Sequence, residues 1–592
     1  MAALAGALAA TWPPARRLVS PLLLLAAAAF AAGVGPVYPP WEFFVWEWHL
    51  GEHRSLEPIF RTGHWLIAVP AHLIFGVSML FAWQRARRAR EKTDSHGSAH
   101  WATAREVTET GLLAGKGLFV GASRRGRRLH ALRHAGPQHV LGFAPARSGK
   151  GVGWVLPTLL TWPESVLVHD IKGENWALTA GWRQLELGSL CLRFDPTTRD
   201  GSAARFNPLL EVRRGPGEVR DVQIIADMLV DPDGTGHKDH WDLTAQELLM
   251  GLVLHVLYSD YAPTLRTCLE LLTDPDRPVE DVLDEMLTSE HDPSGAHGWR
   301  LHKTGTSTRT HPAVAGAARA LLNKSENERS SVISSAVKFL SLFHDDVVVA
   351  NTSASDFRIT DLMHHDRPVS LYLTVPPADI ARTRTLVRLL IHQIGRRLTE
   401  RLDFEGGRGV PHYRHRLLLM MDEFPALGRL DFFETQLAYL PGYGIQAFLI
   451  VQDLSQLYAA YGHHESIVSN CHVRVAYTPN KIETAQLLSQ MAGVMTVHKG
   501  RRMYSGNRFL PFLPHVMASD EEMQRPLLTA DEAMCLPEDS ALVFCSGHRP
   551  IHAVKLRYHE HPELLRRARL ALPAESDRIR HEDVSEKEAQ PA

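Results

Sequence analysis

Residues 140–153 read Val-Leu-Gly-Phe-Ala-Pro-Ala-Arg-Ser-Gly-Lys-Gly-Val-Gly, an apolar strand end that gives way to small residues and then to Gly149-Lys150. The next stretch, Trp154 to Leu160, predicts a helix. Strand, small-residue loop and helix in that order make a phosphate cradle. Backbone N–H groups turn inward, the helix N-terminus adds positive potential, and a lysine ammonium reaches the β and γ phosphates. The candidate nucleotide-binding set is therefore Ala144, Pro145, Ala146, Arg147, Ser148, Gly149, Lys150, Gly151 and Val152, with Lys150 as the catalytic cation. Two positions depart from the usual G-x-x-x-x-G-K-[ST] pattern. Ala144 stands where the first glycine is usual, and Gly151 replaces the hydroxyl residue that normally helps to hold Mg²⁺.

A phosphate loop of this kind works with acids from a neighbouring strand, and the run Leu417-Leu418-Leu419-Met420-Met421 ends in Asp422-Glu423. A continuous apolar run fits a strand buried on both faces. Two acids at its carboxyl end are costly unless they hold a metal or do chemistry, and ligands of α/β sheets bind at that edge. Asp422 is the candidate Mg²⁺ ligand, and Glu423 the residue that orients or deprotonates the attacking water. A third run, Gln446 to Val451, ends at Gln452, which is placed to sense the γ-phosphate as in RecA-like ATPases. The fold class that follows is α/β, a RecA-like P-loop NTPase core whose cofactors are ATP and Mg²⁺.

Ahead of this core, Leu18 to Trp41 and Thr62 to Gln84 contain no formally charged residue. Each is long enough to cross a bilayer, which takes about 20 apolar residues. Arg16 and Arg17 precede the first run, and Arg85, Arg87, Arg88, Arg90 and Lys92 follow the second. This basic bias predicts two transmembrane helices with both termini and the ATPase region in the cytoplasm. Trp41, Trp46, Trp48 and Trp65 are expected near the outer interface. A cleaved signal peptide ending around Ala26 to Ala32 is the rival reading, and the second apolar run with its basic flank argues against it.

The whole chain has 592 residues, 45% of them hydrophobic and 22% charged, which excludes wholesale disorder, collagen-like and coiled-coil architectures. Lys plus Arg number 64 against 66 Asp plus Glu, so any nucleic-acid contact must be a local patch. The five scattered cysteines argue against a disulfide framework or a zinc ribbon.

These residues resemble the type IV secretion and conjugation coupling proteins, in particular their TraG-like branch. The resemblance is carried by the phosphate loop and by His96-Gly97-Ser98-Ala99-His100-Trp101-Ala102, His169-Asp170-Ile171-Lys172-Gly173-Glu174-Asn175 and Arg205-Phe206-Asn207-Pro208-Leu209. Asp422 to Gly428 and Gln452 to Leu457 complete it. It implies a membrane-anchored homo-hexameric ATPase that recruits a relaxase bound to single-stranded DNA and delivers it to the secretion channel proteins. Some relatives place an arginine finger shortly before the sensor glutamine, whereas Leu440-Pro441-Gly442-Tyr443-Gly444 holds no arginine. Arg474 and Lys172 are weak substitutes, read more simply as a strand-end residue and a turn residue.

The expected organisation is a membrane anchor over 1–92, a first part of the nucleotide-binding domain over 93–211, an all-α insertion over 212–343, a second part over 344–559 and a charged tail over 560–592. Val166 to His169, Leu190 to Phe194 and Val369 to Val375 read as core strands, and Val222-Ile225-Leu229 and Leu248-Leu249-Leu252-Val256 show helical spacing. The tail is expected to be helical at first and then disordered. Asp239-His240-Trp241-Asp242 is read as a helix start with a packed Trp rather than a metal site. Candidate DNA contacts are Lys499, Arg501, Arg502 and Arg508, with Tyr504 and Phe509 available for base stacking. Three other readings stay open: an FtsK-like double-stranded DNA translocase, a nucleotide-switched membrane receptor for relaxase or effector proteins, and a coupling factor dedicated to protein effectors.

Overall fold

Short runs of Val, Ile, Leu, Met and Phe form the centre of the molecule. In the computed structural model, which describes residues 40–91 and 95–581 apart from 127, 235, 237, 302, 406–407, 411 and 506–514, fifteen strands are formed. They are β1 Leu118–Arg125, β2 Arg128–His134, β3 Val140–Phe143, β4 Ser165–Asp170, β5 Leu190–Phe194, β6 Val369–Thr374, β7 Asp403–Glu405, β8 Arg408–Val410, β9 Leu417–Met421, β10 Ile445–Val451, β11 Val473–Ala476, β12 Val494–Ser505, β13 His515–Pro526, β14 Ser540–Cys545 and β15 Ile551–Val554. Eleven of them make one sheet in the order β2-β1-β15-β14-β11-β3-β10-β9-β4-β6-β5. From β11 to β5 every neighbour is parallel. The other four strands extend the sheet antiparallel.

Both faces of the parallel part are covered, which is why its strands are mostly apolar rather than alternating. β3, β4, β6, β9 and β10 are buried at every position. On one face, Trp154 and Val155 of the segment after β3 pack with Val166, Val168, Leu418 and Met420. On the other, Leu167, Leu371 and Leu419 share a core with Val222, Ile225, Leu248 and Leu252. Those last four belong to helices Glu218–Val230 and His240–Tyr258, and the described residues between β5 and β6 form helices and turns plus one isolated bridge, Arg300 to Ser307. The helical segment thus stands on the sheet and shares its core.

Asp239 caps the helix that begins at His240 in a capping box with Asp242, as the sequence led one to expect. Trp241 corrects that reading in part, because it stays on the surface, 38% exposed. The tail is also tighter than expected. After the helix Pro562–Ala568, Asp577 N–H donates to Cys191 O (2.9 Å), and Cys191 N–H donates to Asp577 Oδ2 (2.7 Å). β5 is the sheet's last strand, and its free backbone groups find partners in residues 576–577. Residues 582–592 lie outside the described part.

Two compact units divide the chain: Met1–Ser98 with Thr496–Met523, and Ala99–Met495 with Gln524–Ala592. The sheet belongs to the second. The first contains helices Pro40–Leu50 and Glu57–Glu91 and most of the β12-β13 ribbon. The expected span at 18–41 lies outside the described residues except for its end, and Thr62 to Gln84 falls within the helix Glu57–Glu91. Among the described residues no helix is long and apolar enough to cross a membrane. The side chains of 66–71, the most apolar part of that run, are outside the description.

Candidate nucleotide-binding site

β3 and β9 are not neighbours. β10 lies between them, hydrogen-bonded in parallel to both, so the carboxyl ends bearing the loop, Gln452 and Asp422-Glu423 stand side by side along one edge. Lys150 closes the group. Its Nζ donates to the Asp422 carbonyl (2.8 Å) and to Glu423 Oε1 (2.8 Å), and it lies 3.2 Å from Asp422 Oδ1. Gln452 Nε2 donates to Glu423 Oε2 at 3.1 Å. The four residues expected to act together, 272 positions apart at the extremes of the Lys150 to Asp422 contact, therefore meet.

The loop's backbone explains its residue choice. Gly149 has φ +91° and Arg147 φ +62°, the left-handed region that glycine enters freely. Ala144, where a glycine is usual, is fully buried, keeps a negative-φ backbone and donates its N–H to Val451 O (2.9 Å), so a methyl is accommodated. The expected helix begins at Gly151 with a wide π-type turn to Val155 and continues through Leu156–Leu159. Gly153 is dictated by close approach, since a Cβ there would fall 2.2 Å from Tyr477 Oη, and the Tyr477 ring stacks on Trp154 with centroids 4.0 Å apart.

Several residues at this edge were not singled out as site residues from sequence. Asp170 ends β4, beside β9, and is 2% exposed. Its Oδ2 accepts the Trp176 N–H (2.8 Å), and burial pushes its carboxyl up to about 6, with the Asp422 charge adding to the effect. Burial also raises Asp422, against the pull of Lys150. His169, one residue before Asp170, is held down near 4 by burial and so stays neutral. Lys555, just past β15, donates to the Ser148 carbonyl (2.8 Å) and sits over the Tyr477 ring (4.2 Å), and burial lowers its pKa. The signal for Asp170 was available, an acid closing an apolar strand as Asp422 does. Lys555 carries none, because a short strand 400 residues downstream of the loop brings it there.

Three buried polar atoms along this edge have no hydrogen-bond partner, Ser148 Oγ, His169 Nδ1 and Thr374 Oγ1, and Asp422 Oδ1 has only its ion pair with Lys150. Native structures rarely leave such groups unpaired, and a row of them marks a place for ligand or water. A cavity of about 320 Å³ adjoins the loop on the flank of Arg147, Ser148, Gly149 and Val152, bounded by Glu538, Lys555 and Arg557. The described residues contain no cluster of three or more His, Cys, Asp or Glu placed to hold a metal ion. The donor set, carboxylate and hydroxyl oxygens, suits Mg²⁺, which is held by one or two carboxylates together with phosphate oxygens and water.

The remaining expected residues are elsewhere. Lys499 is exposed on β12, Arg501 and Arg502 follow it on the same strand with side chains outside the description, and Arg508 and Phe509 lie outside the described residues. Arg474 is inside β11 and donates to Ser546 Oγ (3.1 Å), while Lys172 is an exposed turn residue.

With this geometry in hand, comparison with known proteins settles the lineage. Residues 93–585 match the family described as type IV secretory system conjugative DNA transfer. The chain belongs to that family. A conjugal transfer protein TraG of Escherichia coli is 40% identical over 593 aligned positions, covering 93% of this chain and 90% of its own. Protein VirD4 of Agrobacterium fabrum is 29% identical, covering 80% of this chain and 67% of its own. Among solved structures, the plasmid coupling protein TrwB in complex with ADP and Mg²⁺ superposes with a TM-score of 0.54 at 15% identity, over 82% of this chain and 97% of that one. The fold is that of the TrwB core, a mixed α/β architecture around a large parallel sheet. As a TraG-like coupling protein, this chain functions in conjugative DNA transfer.

Proposed function

We propose that this coupling protein is an ATP-driven motor, anchored in the inner membrane, which accepts relaxase-bound single-stranded DNA and passes it to the type IV secretion channel as a homo-hexamer. The observation that carries the motor reading is the Lys150 cluster, in which the loop cation, both acids and the strand-end glutamine share one hydrogen-bonded group. TrwB, with the same fold, has been solved with ADP and Mg²⁺ and with non-hydrolysable ATP and GTP analogues.

In the proposed cycle the loop N–H groups from Ser148 to Val152 cradle the phosphates, and Lys150 turns its ammonium from the acids to the β and γ phosphate oxygens. Gln452 and Lys150 leave Glu423 as that happens, and the freed carboxylate orients the attacking water and takes up its proton. Asp422 holds the cation. Mg²⁺, when bound, neutralises charge on the transferred phosphoryl group. The cavity flanking the loop has room for the nucleoside.

Anchoring is supported by the helix Glu57–Glu91, on which Trp65, Leu73, Phe75, Met79, Leu80, Phe81 and Trp83 are all exposed. An apolar surface of that extent needs a lipid or protein cover. The helical segment over 212–343, the first and second parts of the nucleotide domain on either side of it and the charged tail keep the boundaries set out above, with substrate selection assigned to the helical segment. The basic stretch with Lys499, Arg501 and Arg502 is assigned to DNA.

The test is ATP hydrolysis by the full chain reconstituted in vesicles, with and without single-stranded DNA, alongside plasmid transfer from cells carrying Asp422→Asn. Hydrolysis stimulated by DNA and loss of transfer are expected. A reconstituted chain that hydrolyses nothing under either condition contradicts the motor reading.

A further inference from the structure

Gly151 raises a chemical problem, because the position after the loop lysine usually supplies a hydroxyl to the cation and here supplies nothing. The sheet register points to what replaces it. β4 pairs with β9 through Val168↔Met420 and His169↔Met421, so Asp170 is the next residue opposite Asp422. On its other side Asp170 is itself paired with Thr374 of β6. Paired residues in a sheet stand side by side on one face, so Asp422, Asp170 and Thr374 form a row of oxygen donors at three adjacent strand ends. That face is the one on which Trp154 and Val155, just beyond the loop, pack.

The row is built for a ligand rather than for its own stability. Thr374 is 7% exposed and its Oγ1 is buried without a partner, while Asp422 Oδ1 has the Lys150 ammonium 3.2 Å away and room for a further contact. Two carboxylates at adjacent strand ends repel, and a cation beside the Lys150 ammonium that already pairs with Asp422 relieves that repulsion. Asp170 also caps the helix Glu174–Leu185 through the Trp176 N–H. That bond uses only part of a carboxylate's capacity of about four lone-pair sites. Mg²⁺ keeps several of its waters, so an acid one strand away from its direct ligand acts through one of them.

We propose that Asp170 takes over the contact to magnesium-bound water that a loop hydroxyl makes in other P-loop proteins, with Thr374 as its neighbouring hydroxyl donor. This rests on the reading of the edge as a magnesium-nucleotide site. It makes Gly151 and Asp170 a compensating pair: a hydroxyl restored at the first position should make the second dispensable. Gly151 tolerates the change, since its φ is not positive and a Cβ there meets nothing within 4 Å.

The experiment titrates Mg²⁺ against a fluorescent ATP analogue bound to the full chain in detergent, for wild type, Asp170→Asn, Gly151→Ser and the double variant. Asparagine keeps the acceptor for the Trp176 N–H and removes the charge. Asp170→Asn should raise the Mg²⁺ midpoint about 10-fold or more, the usual effect of losing an outer-shell partner, with binding in EDTA unchanged. Gly151→Ser alone should lower the midpoint, and in the double variant it should bring the midpoint back towards wild type. An unchanged midpoint in Asp170→Asn, a defect that Gly151→Ser leaves untouched, or a Gly151→Ser midpoint equal to wild type would each overturn the inference. Failure of the wild type to bind the analogue at any Mg²⁺ concentration would instead overturn the nucleotide reading on which it rests.

Discussion

Two buried polar clusters of the molecule differ in how far they satisfy themselves. In the helical segment His291 Nδ1 accepts the His311 N–H (3.1 Å), His311 Nδ1 accepts the Ala313 N–H (3.1 Å), and His311 Nε2 meets Glu218 Oε1 (3.1 Å). Those backbone donors fix the protons of His291 and His311 on Nε2, so His291 donates to His255 Nδ1 (2.9 Å) and His255 Nε2 faces Glu285 Oε1 (3.4 Å). Tyr258 and the Gly215 N–H complete Glu218, and Arg277 holds Glu285 (2.5 Å). The chain closes except at its end, where His255 Nε2 has only the ion-pair contact with Glu285. At the carboxyl edge of the sheet, by contrast, Ser148, His169 and Thr374 keep buried atoms without partners, and Asp422 Oδ1 has only its ion pair with Lys150. A network that satisfies itself specifies a fold, whereas one left open along a single edge specifies a ligand.

That contrast predicts different consequences of substitution. Glu423→Gln should produce the largest effect, lowering ATP turnover about 10²- to 10³-fold while nucleotide binding and the melting temperature hold; equal losses of binding and turnover would mean that Glu423 is structural. His291→Leu should do the reverse. It strands the His311 N–H and His255 Nδ1, costing about 1–3 kcal/mol of stability in chemical denaturation while leaving nucleotide affinity intact, and a change in affinity would break the distinction. Gly153→Ala lies between the two regions in character. Its new methyl meets Tyr477 Oη, so it should weaken nucleotide binding through the displaced helix start, and Tyr477→Phe should restore part of the loss by removing that oxygen. No restoration would show that the Leu556 carbonyl, 3.1 Å from the same Cβ, is the obstacle.

The smallest effect is on pH. Burial holds His291 near 4, and does the same to His139, His169 and His392. The unfolded chain takes up these protons below the ordinary value of about 6.5 and the folded chain resists until about 4, so stability should fall as pH drops through that window. Asp170, raised to about 6, has the opposite sign, because the folded chain keeps its proton longer as pH rises from the ordinary carboxylate range. Four histidines against one aspartate leave a net loss, visible as a melting temperature that declines from pH 7 to pH 5. A flat profile would mean that the histidines are protonated in the fold.

The parallel core and its acids were legible because the central parallel strands are mostly apolar, β9 without a break, and a charge at the end of such a run stands out, as at Asp422. The same rule would have picked Asp170, which follows Val166-Leu167-Val168 after one histidine, had the missing hydroxyl at Gly151 been set beside it. The antiparallel extension was not legible. β1, β2 and β15 mix buried and exposed positions, and the pairing of β1 with β15 joins residues more than 400 positions apart (Ala122 with Val554), so the approach of Lys555 to the loop leaves no local trace. The tail read as disordered from its charge, yet β5 ends the sheet and binds residues 576–577, a fact about edges rather than composition. The stretch from Val497 was read for its basic and aromatic residues, and as far as Ser505 it belongs to a strand, β12, paired with β13.

The central claim is that Lys150, Asp422, Glu423 and Gln452 surround one triphosphate. ATP turnover and fluorescent-nucleotide affinity of the purified full chain, wild type against Lys150→Ala, test it most directly. The account predicts turnover at background and a weakened affinity in the variant, with the circular dichroism of the wild type retained. A Lys150→Ala protein that turns over ATP at the wild-type rate would contradict it.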